Sequence, residues 1–198
     1  MRGLAHGLGA AAENRVGLPG EDLASFGAGF DRLHALGPHE IQVGILKRLR
    51  GAPISRHSDS YGLRFAPQPP YSVLATAHMD FPTLQRLTRF ARYWDLIANS
   101  GRFAHTLPLL LGDAPFARFL QLSDWLYART QQTHRIALSR LFELLHAALT
   151  SLFALDENRA LAALAHRHRR LWRCRRKSGC RRPRSRAPRS CLRPNDSS

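Results

Sequence analysis

The stretch GLPGEDLASFGAGFDRLHALGPHEIQVGIL, Gly17–Leu46, decides how the chain is read, because it sets a turn, a helix and a strand in immediate succession. Leu23, Phe26, Phe30 and Leu33 recur every three or four residues and line up one apolar helix face. Gly37-Pro38 stops that helix, so it is expected over about 22–36. Glu21 and Asp22 are placed in its first turn, where carboxylates suit the positive end of the helix dipole. Ile41, Val43 and Ile45 then alternate with Gln42 and Gly44, which reads as a buried strand over about 40–46. A helix passing through a Gly-Pro stop into an apolar strand is the end of a repeating α/β unit with a parallel sheet. Such a strand needs parallel neighbours, and the sequence shows almost none. Residues 1–16 have no clear period and remain unassigned.

Outward from this stretch, Pro53, Pro67, Pro69 and Pro70 break regular structure. Residues 59–82 therefore read as a long ordered Pro-rich loop with short extended pieces. From Thr83 the pattern turns helical. Leu84, Leu87, Ala91, Trp94 and Ala98 form one stripe to about Asn99, and Phe116, Phe119, Leu122 and Leu126 form another after Pro115. A further helix is expected over about 133–155, and a last one from Arg159 to about Leu171 behind a cap at Asp156–Asn158. Residues 83–171 thus read as a small helical bundle.

The net charge of +16 resembles a nucleic-acid signature until it is located. Residues 166–198 carry thirteen basic side chains against Asp196, a net +12, while the other 165 residues hold 17 basic and 13 acidic groups. The charge belongs to the tail. Residues 172–198 have no period and almost no aliphatic side chains, and are expected to be disordered. Two readings of the tail stand side by side. One is an arm binding nucleic acid non-specifically; the other is a segment translated out of frame from GC-rich DNA, an origin that residues 1–16 would share.

Cys174, Cys180 and Cys191 fall in the same tail with five and ten residues between neighbours. Those spacings match neither a structural zinc site nor the CxxxCxxC loop of a 4Fe-4S cluster. The histidines form no HxxxH or HExxH pair, so no metal ligands and no catalytic residues are assigned. No apolar run reaches the length of a membrane span and no secretory leader is legible, so a cytoplasmic setting with no membrane partner is expected.

The order GLPGEDLASFGAGFDRLHALGPHEIQVGILKRLRGAPISRH, then PPYSVLAT, then MDFPTLQRLTRFARYWDLIANSGRF, resembles the C-terminal part of cobalamin-binding radical SAM proteins. In these the last strands of a radical SAM barrel lead into a helical domain of unknown function, DUF 4080. The resemblance covers roughly Gly17 to Leu155. It implies a mainly α chain with a small α/β part: the end of the barrel over 17–58, the Pro-rich loop, and a DUF 4080-like domain over 83–171.

In the full-length family a cobalamin domain precedes a barrel whose CxxxCxxC loop holds a 4Fe-4S cluster and S-adenosylmethionine. This sequence carries no such loop, so no cofactor is expected on this chain alone. The implied reading is a C-terminal part of a radical SAM enzyme, not competent by itself and dependent on the preceding domains, with no substrate legible. The alternative is a non-enzymatic helical module with a nucleic-acid-binding arm.

By the same resemblance GLPGE is a late strand end near S-adenosylmethionine, with Gly17 and Gly20 permitting close backbone approach and Val43 flanking the adenine. The residues AENRV stand where the family has an apolar strand. Lys47, Arg48 and Arg50 suit an anionic ligand or a solvated strand end. Arg86, Arg89 and Arg92 share a helix face that binds phosphate or pairs with acids. Tyr93 and Trp94 read as packing anchors, and Asp95 with Asn99 as a polar contact to the barrel or substrate.

Overall fold

The structure, a computed structural model, describes residues 11–49 and 51–165. The described part is mainly helical with two small sheets. The readings of residues 1–10 and of the tail from residue 166 lie outside the described residues.

Strand β1 (Ala11–Val16) pairs in parallel with β2 (Glu40–Ile45), from Ala11 opposite Glu40 to Val16 opposite Ile45, and α1 (Leu23–Ala35) connects them. This corrects the reading of residues 11–16 as unassigned and of β2 as a strand without a parallel neighbour. The physical reason is a thin inner face. Ala12, Asn14 and Val16 turn inward while Ala11, Glu13 and Arg15 are exposed, so the period of two is present but only Val16 is fully buried. Asn14 Nδ2 is buried without a partner, and Glu13 and Arg15 pair at 2.6 Å on the outer face.

Helix α1 begins one residue later than expected, because Asp22 is its cap. Asp22 Oδ1 accepts from Ser25 N at 2.7 Å, and Ser25 Oγ accepts from Asp22 N at 3.0 Å. Glu21 is not in the first turn; its carboxylate folds back to accept from Gly17 N at 3.0 Å. The Pro-rich segment is ordered around an antiparallel ribbon, β3 (Arg64–Phe65) and β4 (Val73–Ala75). A bridge between Lys47 and Ser72 splices the ribbon onto the end of β2.

Helix α2 (Phe81–Trp94) starts two residues before the expected Thr83, since Asp80 accepts from Thr83 N at 3.0 Å and proline fits the first turn. It runs on as a π-helical turn (Asp95–Asn99). A short α3 (Leu107–Leu111) follows, and then α4 (Pro115–Thr130), the helix expected after Pro115. Helix α5 (Leu138–Ala147) starts five residues after the expected Thr133, because Gln131 and Arg135 take left-handed backbone angles with φ of 51° and 56°. It ends in a second π-helical turn (Ala148–Leu152). Residues 157–165 are helical, and Asp156 Oδ1 caps them by accepting from Arg159 N.

The core is built from aromatic rings on three helices. Phe30 of α1 meets Phe90 at 5.1 Å and Trp94 at 4.8 Å, both edge to face, and Phe119 of α4 closes on Phe90 at 5.1 Å and on Trp94 at 4.9 Å. Each such pair adds about 0.5–1.5 kcal/mol beyond its buried area. Phe116 packs directly on α1: a Cβ on Gly27 would lie 2.6 Å from its Cε1 and closer still to Cδ1. Asp31 of α1 also accepts from Phe116 N at 2.8 Å, which caps the start of α4 from a different helix.

Candidate functional site

Among the described residues a groove of about 520 Å³ lies between β2, the start of β4 and the polar face of α2. Its β2 wall runs from Glu40 through Val43, Gly44 and Ile45 to Lys47. The helix wall carries Gln85, Thr88, Arg92, Asp95 and Asn99, spaced three or four residues apart, with Ala91 of the apolar stripe at its margin. Pro70, Ser72, Val73 and Leu74 close the end near the ribbon.

The two ends of the groove are sealed differently. At the start of β2 the Asn99 carboxamide accepts from Ile41 N at 3.4 Å and donates to Ile41 O at 3.1 Å. It occupies both backbone groups that a neighbouring strand would use. At the far end, Val73 N donates to Leu46 O and Arg48 N to Tyr71 O. Between these seals β2 keeps an open edge. Leu46 N donates to Val16 O, so Leu46 presents its amide to β1, while Ile41 faces Asn99. Backbone groups alternate sides along a strand, so Val43 and Ile45 point their N–H and C=O groups into the groove.

Of the residues assigned by resemblance, Val43 lines this groove, whereas Gly17 and Gly20 do not. Gly17, at φ 88°, is enclosed: a Cβ there would lie 2.7 Å from Val73 Cγ1, and its amide is held by Glu21. Burial raises the Glu21 carboxyl above its ordinary value, against the pull of the Gly17 and Leu18 amides. Gly20, at φ 77°, turns the chain beside the Tyr61 ring. The close approach that Gly17 allows is used by Val73, whereas Gly20 is exposed and a Cβ there would meet only Tyr61 Cε1, at 4.0 Å.

The basic face of α2 divides. Arg86 pairs with Asp124 of α4 at 2.6 Å, and Arg89 reaches the same carboxylate at 3.9 Å while stacking on Tyr127. Arg92 is exposed and lines the groove. Tyr93 and Trp94 are buried anchors; the Tyr93 phenol donates to Gln132 O at 2.6 Å, and burial raises it above its ordinary value against the pull of the Thr130 hydroxyl. Asn99 donates to Asp95 Oδ1 at 3.4 Å, and of the two it is Asn99 that contacts strand β2. Glu40, Gln85 and Thr88 were not singled out from sequence; the three-to-four spacing of polar residues along α2 was the available signal for the latter two.

Among the described residues no group of three His, Cys, Asp or Glu side chains is placed to hold a metal ion. The donor set of a 4Fe-4S cluster is therefore not assembled there, and Gly17 offers no free amide to S-adenosylmethionine. Among the described residues no helix is long and apolar enough to cross a membrane.

A family model of proteins of unknown function, DUF4080, matches residues 59–165, more than half of the 198 residues. The match takes in the β3–β4 ribbon as well as the helices. No curated protein matches the chain.

Proposed function

The chain belongs to the DUF4080 family of proteins of unknown function, and from that premise we propose that it works as the C-terminal part of a cobalamin-dependent radical SAM enzyme. In this reading β1, α1 and β2 are the last unit of a parallel sheet, and the helical domain terminates it. The chain has no catalytic competence by itself; cluster, S-adenosylmethionine and cobalamin belong to preceding domains.

The observation that carries the reading is the asymmetry of the two-stranded parallel sheet. Parallel strands occur in larger sheets covered by helices, and two strands alone bury too little to stand independently. Val16 exchanges bonds with β2, so alternation turns the backbone groups of Ala11, Glu13 and Arg15 to the outer edge of β1. Among the described residues no strand pairs with that edge. On β2 the corresponding edge is filled at Ile41 by Asn99 and flanked by α2. The β1 edge is open to a neighbouring strand along its described length, whereas the β2 edge lies under α2, where a further barrel strand with its own helix would collide; this supports β2 as the last strand of the sheet.

Anaerobic reconstitution with iron and sulfide tests the assignment of the cluster to other domains. The chain is expected to develop no 4Fe-4S absorbance; a stable cluster would contradict its incompetence. Sequencing upstream of the coding region tests the parent enzyme. An adjoining frame encoding CxxxCxxC supports the reading, and a locus without one refutes it.

A further inference from the structure

We propose that the groove between β2 and α2 is a strand-addition site for a short extended peptide with free ends, lying parallel to β2. The inference needs only the groove and stands apart from the radical SAM reading.

The first support is the backbone edge. Val43 and Ile45 present two donor–acceptor pairs, about 6–7 Å apart at the rise of a strand, which is the repeat of alternate residues in an added chain. Asn99 shows what this edge accepts, because its side-chain amide already occupies the neighbouring position at Ile41 as a peptide group would. The free run between Asn99 and the Lys47–Ser72 bridge spans four residue steps, about 13 Å, so the occupant is short.

The second support is charge order. Glu40 and Asp95 stand at the Asn99 end, and Lys47 stands at the ribbon end. A peptide whose ammonium group meets the two carboxylates and whose carboxylate meets Lys47 runs parallel to β2. Arg92 lies beside Asp95 on the helix wall and faces peptide carbonyls or an acidic side chain. Val43, Ile45, Leu74 and Ala91 give the walls their apolar contacts, and Gln85 adds a polar amide.

The recess also selects against a second copy of this chain. Strand β2 is flanked on its open side by α2, so the β2 of another molecule would bring its own α2 into collision. A single narrow peptide enters where a folded edge does not.

The test is an amide-resolved NMR titration of the full ¹⁵N-labelled chain with the free tetrapeptide Thr-Val-Thr-Val, up to millimolar concentration. The expected result is a downfield shift and slowed exchange of the Val43 and Ile45 amides. Acetylating and amidating the peptide ends is expected to weaken binding about tenfold, and N-methylating its central amides by a similar factor, as the loss of a charge pair or of a hydrogen bond implies. Ala91→Trp, which fills the groove from the helix side, is expected to remove the shifts; the N-methylated peptide gives the same information if that variant does not fold.

Four results would overturn the proposal. They are unshifted Val43 and Ile45 amides, equal binding of the blocked peptide, the same shifts from adenosine but not from the peptide, and shifts that follow protein concentration without peptide.

Discussion

Replacing Gly27 with alanine tests how α1 is held against α4. In an exposed helix interior the change would stabilise by about 0.5–1 kcal/mol, because glycine loses more backbone freedom on folding. Here the new Cβ would sit 2.6 Å from Phe116 Cε1 and 3.2 Å from Cγ, so the ring must move. The ring is not free to do so. Its backbone amide is tied to Asp31 at 2.8 Å, Phe26 abuts it at 5.6 Å and Phe90 at 5.4 Å. Overpacking of this kind costs about 1–3 kcal/mol, which outweighs the helix gain and leaves a net loss of about 1–2 kcal/mol. At about 2–4 °C per kcal/mol, the midpoint of thermal unfolding falls by roughly 2–8 °C. Urea unfolding followed by tryptophan fluorescence measures the loss directly, with a lower midpoint at unchanged slope. Gly29→Ala is the internal control. It lies on the same helix, its added Cβ meets nothing within 4 Å, and it is expected to gain stability. In a Phe116→Leu background the cost of Gly27→Ala should shrink or change sign. A Gly27→Ala protein as stable as the parent, or a cost undiminished once the Phe116 ring has been replaced, would refute the packing argument.

Three further outcomes are expected. Asn99→Ala leaves Ile41 N–H and C=O without their partner, so stability should fall by about 1–2 kcal/mol and hydrogen exchange at Ile41 should quicken. Asp80→Ala tests a helix cap through pH: the Thr83 hydroxyl and amide hold the Asp80 carboxyl below its ordinary value. A depressed folded value stabilises above the ordinary carboxylate range and is lost as pH falls through it, so the variant should melt lower at neutral pH and converge on the parent in acid. Deleting residues 172–198, where the positive charge is concentrated, should abolish non-specific binding to single-stranded nucleic acid measured by fluorescence anisotropy, and what the parent chain binds should weaken steeply with added salt.

What was legible in the sequence follows the strength of each apolar period. Phe26 and Phe30 mark α1, Ile41 marks β2, and Leu84, Leu87 and Phe90 mark α2, because each is fixed by burial on one face, while Val43 continues the alternation of β2 half-buried. Strand β1 is held chiefly by its backbone pairing with β2, and AAENRV offers only Val16 as a strongly buried side chain. The late start of α5 depends on left-handed angles at Gln131 and Arg135, residues that carry no turn signature. The groove was legible only in part. Asn99 stood out as a polar residue beside packing anchors, but its partner, the backbone of Ile41, has no signature in side-chain sequence. Glu40, Gln85 and Thr88 come together with Val43 only once α2 lies across β2.

The tie between α1 and α4 bears on where this protein can be cut. The DUF4080 segment opens at Asp59, yet Phe26, Gly27, Phe30 and Asp31 lie upstream of it and complete the packing of Phe90, Trp94 and Phe116 within it. A polypeptide beginning at Asp59 would carry a raw aromatic surface and an uncapped α4, and would need detergent, a fusion or a replacement helix to stay dispersed. The unit that folds reaches back at least to Leu23, so the evolutionary segment and the mechanical one have different starting points.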